Sequence, residues 1–217
     1  MPAPNLRHRH ATRAPHMELI TGTTGIVGIH LLLDRTAHGP VRALVRRNSD
    51  RGIVDRVFRH YRADPDALLA NIQWCEGDLM DSDALADAMH GVKVVHHCAA
   101  VVSFDPRDTD LMDRVNVRGT ANVVNMALEA GVERLCHVSS TAAIGSAAPG
   151  VVRNEATPWT GGLDPSPYAI SKYDAELEVY RGIAEGLDAV IVNPCIVIGP
   201  GSTGRSSMTL MERLHKG

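Results

Sequence analysis

A chain of 217 residues, 44% of them hydrophobic and 22% charged, holds enough apolar material for one sizeable core with at most a small appendage. Its formal net charge of -3 argues against a nucleic-acid binder working through a basic surface, since phosphate neutralisation needs clustered Lys and Arg. No apolar run approaches the roughly 18 residues of a membrane helix, so neither a transmembrane span nor a membrane partner is expected.

Residues 1–16 contain three Pro, three Arg and three His, with no acidic residue and no periodicity. They lack the apolar core of a secretory signal and read as a disordered leader, with Met17 a plausible start of the folded part. From Met17 onward, short apolar runs alternate with helical patterns. Strands are predicted at 17–21, 41–45, 72–75, 93–97, 134–139 and 189–193, and helices at 26–36, 50–61, 82–89, 110–130 and 168–185. This alternation means right-handed βαβ units and a parallel sheet covered on both faces, an α/β doubly wound architecture. One residue fits poorly: Glu18 lies in the first strand, which such a sheet buries on both sides. An unpaired buried carboxylate is costly, so either the strand is shortened there or Glu18 finds a partner.

The first strand runs into TGTTGIVG, residues 21–28. Gly22 opens a strand-to-helix turn, Gly25 removes a Cβ where a pyrophosphate would approach, and Gly28 is expected to let the helix lie close to the sheet. The second strand ends in Arg46-Arg47-Asn48-Ser49, with no acid before Asp50. An acid at that point suits the ribose hydroxyls of NAD, whereas an Arg suits the 2′-phosphate of NADP. Arg46 therefore favours NADP(H), with NAD(H) the alternative.

In the fourth strand, His96-His97-Cys98 resembles a metal cluster, but neighbours on a strand point to opposite faces and do not converge on one ion. The four cysteines (Cys75, Cys98, Cys136, Cys195) form no CxxC pair and fit a reducing, cytoplasmic setting. The fifth strand ends in HVSSTAAIG, which puts Ser139, Ser140 and Thr141 at its C-terminal edge, where open α/β sheets bind ligands. In SPYAISKYDAELE, Tyr168 and Lys172 are four residues apart and share one helix face. A phenol titrates at about pH 10, so acid–base work near neutrality needs a nearby cation such as Lys172.

In combination these motifs resemble the short-chain dehydrogenase/reductases in their extended branch, from about Met17 to Gly201. TGTTGIVG is similar to the TGxxGxxG loop, which would set Gly22, Thr24, Gly25, Ile26, Val27 and Gly28 around the dinucleotide. Glu76-Gly77-Asp78-Leu79 resembles the GDL segment, with Asp78 and Leu79 near the adenine. His97-Cys98-Ala99-Ala100 resembles the H-x-A-A stretch that lines the cofactor with Cys98, Ala99 and Ala100. Asn116 in VNVRGTANVV resembles the structural and active-site Asn. Matching Gly145 to the closing glycine of the serine motif makes Ser140 the catalytic hydroxyl. YAISK supplies Tyr168 and Lys172, and NPCIVIGPG resembles the loop that meets the nicotinamide through Pro194 and Ile196.

The resemblance implies an NAD(P)-binding Rossmann domain over 17–204. It also implies that 205–217, which reads as an amphipathic helix, begins a substrate region cut short here. Tyr168 would exchange a proton with the substrate oxygen while hydride moves between substrate and nicotinamide. Ser140 would steady that oxygen, Lys172 would lower the Tyr168 pKa and hold the ribose, and Asn116 would complete the site. HCAAVVSFDPRD, the arginines after strand two and NPCIVIGPG look most like the dihydroflavonol reductase-like group, hence an NADP(H)-dependent oxidoreductase of a small carbonyl or alcohol. The alternatives are a nucleotide-sugar epimerase/dehydratase with tightly bound NAD and a non-catalytic NADP sensor or scaffold. Members of the family often form homodimers through the two long helices.

Overall fold

The computed structural model describes residues 16–147, 150–161 and 165–201; the leader at 1–15 and the expected helix within 205–217 lie outside them. Six strands form one parallel sheet in the order β3-β2-β1-β4-β5-β6, with β1 Met17–Thr21, β2 Val41–Val45, β3 Ile72–Glu76, β4 Val92–His97, β5 Arg134–Val138 and β6 Ala189–Val192. The helices are α1 Ile26–Thr36, α2 Gly52–Tyr61, α3 Asp66–Ala70, α4 Ser82–Met89, α5 Thr109–Met112, α6 Gly119–Glu129 and α7 Pro167–Ala184. The expected α/β doubly wound fold is present, and the strand order reverses between β1 and β4, the crevice where such folds place a ligand.

Alternation along the central strands fills two cores. Leu19, Val95 and Leu135 face α4, α6 and α7 with Val123 and Val179, while Ile20 and Ala43 face α1 and α2 with Ile29, Leu32 and Phe58. One helix is additional to the expected set and one expectation needs correction. Helix α3 had no periodic signal because DALLA is barely one turn long. The helix expected at 110–130 is α5 and α6 joined by a six-residue π-helical segment, Asp113–Arg118.

The first strand is not shortened at Glu18. Its carboxylate accepts from Arg35 Nε at 2.9 Å and Nη2 at 2.5 Å, and lies 3.0 Å from His96 Nε2. The β1–β4 register also shifts beside it, between Met17 and Glu18. His96 thus faces Glu18, and His97 turns to the opposite face, against Thr21 and Thr120.

Candidate active site

Gly22, at the end of β1, has φ +69°, and a Cβ there would lie 2.5 Å from the Ala99 nitrogen. Only glycine lets the turn pack directly on the backbone after β4, and this contact brings Gly22 against Cys98 and Ala99. A Cβ on Gly28 would lie 2.2 Å from the Gly22 carbonyl oxygen. The close approach that requires Gly28 is therefore between the first turn of α1 and its own loop, not between helix and sheet. Gly25 is exposed at the head of α1, and Thr24, Ile26 and Val27 are half-buried around it. Among the described residues no side chain caps this helix, and its first turn carries no acid. Its leading N–H groups and the positive end of its dipole are left for an anion.

At the end of β2, the Arg46 carbonyl accepts from Ser49 N–H at 2.9 Å. Arg47 donates to Glu76 at 2.7 Å, Arg51 lies 3.6 Å from the same carboxylate and over the Trp74 ring, and Asp50 pairs with Arg56. Arg46 is exposed and enters no ion pair among the described residues. After β3, Asp78 accepts from Met80 N–H at 3.0 Å, so part of its carboxylate holds its own turn. The Leu79 side chain belongs to the core and packs against Gly119, and its carbonyl accepts from Asn122.

Ser140 follows β5 and caps the short turn Thr141–Ala143, its Oγ accepting from Ala142 N–H at 3.1 Å. Tyr168 stands in the first turn of α7, which Ser166 caps and Pro167 starts. Burial raises the Tyr168 pKa, and the neighbouring Ser140 side chain only partly opposes it. Lys172 is 1% exposed; burial lowers it from 10.5 to about 8. Its Nζ donates to the Val138 carbonyl at 3.0 Å and lies 3.5 Å from His137 Nε2. The expected lowering of Tyr168 by Lys172 does not show in this structure, where burial dominates at the phenol. Phe104, 78% exposed, stands edge-on to Tyr168 with ring centroids 6.0 Å apart. Pro194 runs beside the serine turn, its carbonyl accepting from Thr141 N–H at 3.0 Å, and Ile196 is exposed beyond it.

Asn116 lies in the π-helical segment and is buried. Its amide both donates to and accepts from the Val101 backbone, at 2.9 and 2.7 Å, and donates to Ser171 Oγ at 3.0 Å. Together these bonds hold the loop after Ala100 to α7. A buried chain reaches it from β1. Ala99 N–H donates to Thr21 Oγ1, 2.8 Å from His97 Nδ1; His97 Nε2 meets Thr120 Oγ1 at 3.0 Å, and Thr120 donates to the Asn116 carbonyl. Because Thr120 spends its proton on Asn116, His97 carries its own on Nε2, as a neutral imidazole. Burial pushes its pKa down to about 3.

Sequence reasoning gave no role to Thr120, Ser171, Glu176 and Asn193, although each lies inside a quoted motif; only a spacing of four from Asn116 and Lys172 hinted at Thr120 and Glu176. Ala100 is exposed beside these groups. A groove of about 740 Å³ lined by Ile26, His30, Tyr61, Val192, Pro194 and Ile198 runs alongside the site and does not include Ser140 or Tyr168.

The family model for the NAD dependent epimerase/dehydratase family matches residues 18–217. A sterol demethylase protein B of Methylococcus capsulatus is 36% identical over 186 residues, covering 84% of this chain and 52% of that protein. A Synechocystis protein named provisionally as a dihydroflavonol 4-reductase is 38% identical over 183 residues, covering 83% and 49%. Among solved structures, the dTDP-glucose 4,6-dehydratase DesIV of Streptomyces venezuelae, with NAD and TYD bound, superposes with a TM-score of 0.74 at 28% identity, covering 93% and 63%. The chain thus spans about half the length of the curated relatives it matches.

Proposed function

Because the chain belongs to the NAD-dependent epimerase/dehydratase family, of the extended short-chain dehydrogenase/reductase type, we propose that it is an NADP(H)-dependent oxidoreductase of a small carbonyl or alcohol substrate. The observation that carries this reading is the placement of Ser140 beside Tyr168, at the same C-terminal sheet edge as the glycine turn. A dinucleotide fits the residues present. The uncapped head of α1 with Gly25, Thr24, Ile26 and Val27 would receive the pyrophosphate. Asp78 and the Leu79 backbone would bound the adenine, and Cys98, Ala99, Ala100, Pro194 and Ile196 would flank the rest. Arg46, exposed and uncommitted to a carboxylate, favours a 2′-phosphate and hence NADP over NAD. The nicotinamide, when bound, supplies or accepts the hydride that no side chain can.

The remaining work falls to the chain. Tyr168 gives its phenolic proton to the substrate oxygen during carbonyl reduction and recovers it in the reverse direction. Ser140 donates to the same oxygen and orients it. Lys172 places a positive charge one turn along α7 and binds the ribose. Asn116 positions the loop after β4 rather than touching substrate. Phe104 offers an apolar wall beside Tyr168, which favours a carbonyl flanked by apolar carbon over a sugar diphosphate, the substrate of the epimerase/dehydratase alternative. The described cysteines are unpaired, in keeping with a reducing cytoplasm. Exposed Ile170, Leu177 and Tyr180 on α7 would form, with α6, a homodimer interface.

Two measurements test this. Fluorescence titration should give tighter binding of NADPH than NADH; the reverse order overturns the role of Arg46. Tyr168→Phe in the full-length protein should cut carbonyl reduction by at least about 100-fold with nucleotide affinity little changed. Equal turnover by variant and wild type, or no turnover on any carbonyl, overturns the catalytic reading in favour of a sensor.

A further inference from the structure

Glu176 and Asn193 lie inside SPYAISKYDAELE and NPCIVIGPG, and neither has a role assigned by those motifs. Glu176 is buried on α7, one turn beyond Lys172 and on the same face. Asn193 follows β6, and its Nδ2 donates to Glu176 Oε1 at 2.6 Å and to the Ser140 carbonyl at 3.1 Å. Both partners are acceptors, so the amide has one consistent orientation, and its two N–H groups tie α7 to the serine turn. The short bond to a carboxylate is of the charge-assisted kind.

Lys172 needs such a neighbour. The groups that face it are Glu176 on its own helix, His137 on β5, His97 on β4 and Cys98 at the end of β4. The two imidazoles are neutral, their tilted rings 5.2 Å apart, and depressed by burial and by the nearby ammonium, so they add no counter-charge. The Cys98 thiol is pushed up to about 12 by burial and stays protonated. No direct ion pair joins Lys172 to Glu176 among the described residues, and the Glu176 carboxylate is held by Asn193.

We propose that Glu176 and Asn193 are positioning residues of the active site. Glu176 supplies the counter-charge that keeps the buried Lys172 ammonium protonated, and Asn193 clasps that carboxylate to the Ser140 backbone. One amide thereby links the charge on Lys172 to the placement of the catalytic hydroxyl. The idea rests on the reading of Ser140, Tyr168 and Lys172 given above, but its test does not depend on turnover.

The chain has three lysines, Lys93, Lys172 and Lys216, so Nζ resonances of 15N-lysine-labelled protein can be followed through a pH titration without nucleotide. In wild type Lys172 should titrate at about 8; a midpoint below about 6, the range of buried lysines lacking support, overturns the counter-charge. Glu176→Gln keeps an acceptor for Asn193 and removes only the charge. It should move the Lys172 midpoint down by half a unit or more, a threefold or greater change in proton affinity. Asn193→Leu, which removes the clasp, should move it in the same direction. A midpoint unmoved in Glu176→Gln sinks the role of the charge, and one unmoved in Asn193→Leu sinks the clasp. The alkaline limb of the pH–rate profile should follow the Glu176→Gln shift. If the resonance moves and the limb does not, the pair stands and the catalytic use of Lys172 falls.

Discussion

Glu18 near the head of β1 shows how a carboxylate survives inside a strand covered on both faces. Burial pushes its pKa up, but the bonds from His96 and Arg35 outweigh that and hold it at about 2, against an ordinary 4.5. A group depressed on folding stabilises the protein fully above its unfolded pKa, and that stability is lost as pH falls through the folded one. Glu18→Gln should therefore lower unfolding free energy at pH 7 by on the order of 2–3 kcal/mol, the gap closing as pH falls from 4.5 toward 2. Urea unfolding at pH 7 and pH 3 measures it; a difference that does not change with pH would show that the loss is packing, not charge. Sequence reading had left open whether Glu18 shortens the strand or finds a partner. Arg35 lies 17 residues away and His96 lies 78 away, distances over which no periodicity speaks.

At the scale of elements, the π-helical segment is the departure with most consequence. A regular helix over 110–130 matches the apolar pattern, because a one-residue expansion hardly disturbs it. The expansion is stabilised by bonds no pattern records: Thr120 to the Asn116 carbonyl, His97 to Thr120, and Gly119 making room for Leu79. π-Helical turns of this kind are rare and concentrate at functional sites. Thr120→Val keeps the shape, deletes the donor to Asn116 and leaves His97 N–H buried without a partner. Stability should fall by about 2 kcal/mol, and turnover should fall with it as Asn116 loosens its hold on Val101. Thr120→Ser should restore both. Unchanged denaturation of Thr120→Val would mean that the segment does not depend on this chain of bonds.

At the scale of the whole molecule, the parallel sheet brings the ends of β1, β2, β4 and β5 to one edge, and the outer face of α7 is left apolar. Light scattering should find the homodimer proposed above, and Leu177→Glu, at an exposed position, should convert it to monomer with unchanged thermal stability. A wild-type monomer at micromolar concentration would remove that interface. The sequence by itself determined the fold class, the glycine turn and the shared helix face of Tyr168 and Lys172, since each is written in local signals: alternation, a φ that only glycine tolerates at Gly22, and a spacing of four. Only the tertiary structure decided where Lys172 puts its ammonium, how Glu18 is held, and which groups Asn116, Glu176 and Asn193 bind. Those outcomes depend on buried polar groups from distant strands finding partners away from water. Which donor meets which acceptor is set by packing geometry rather than by the neighbours along the chain.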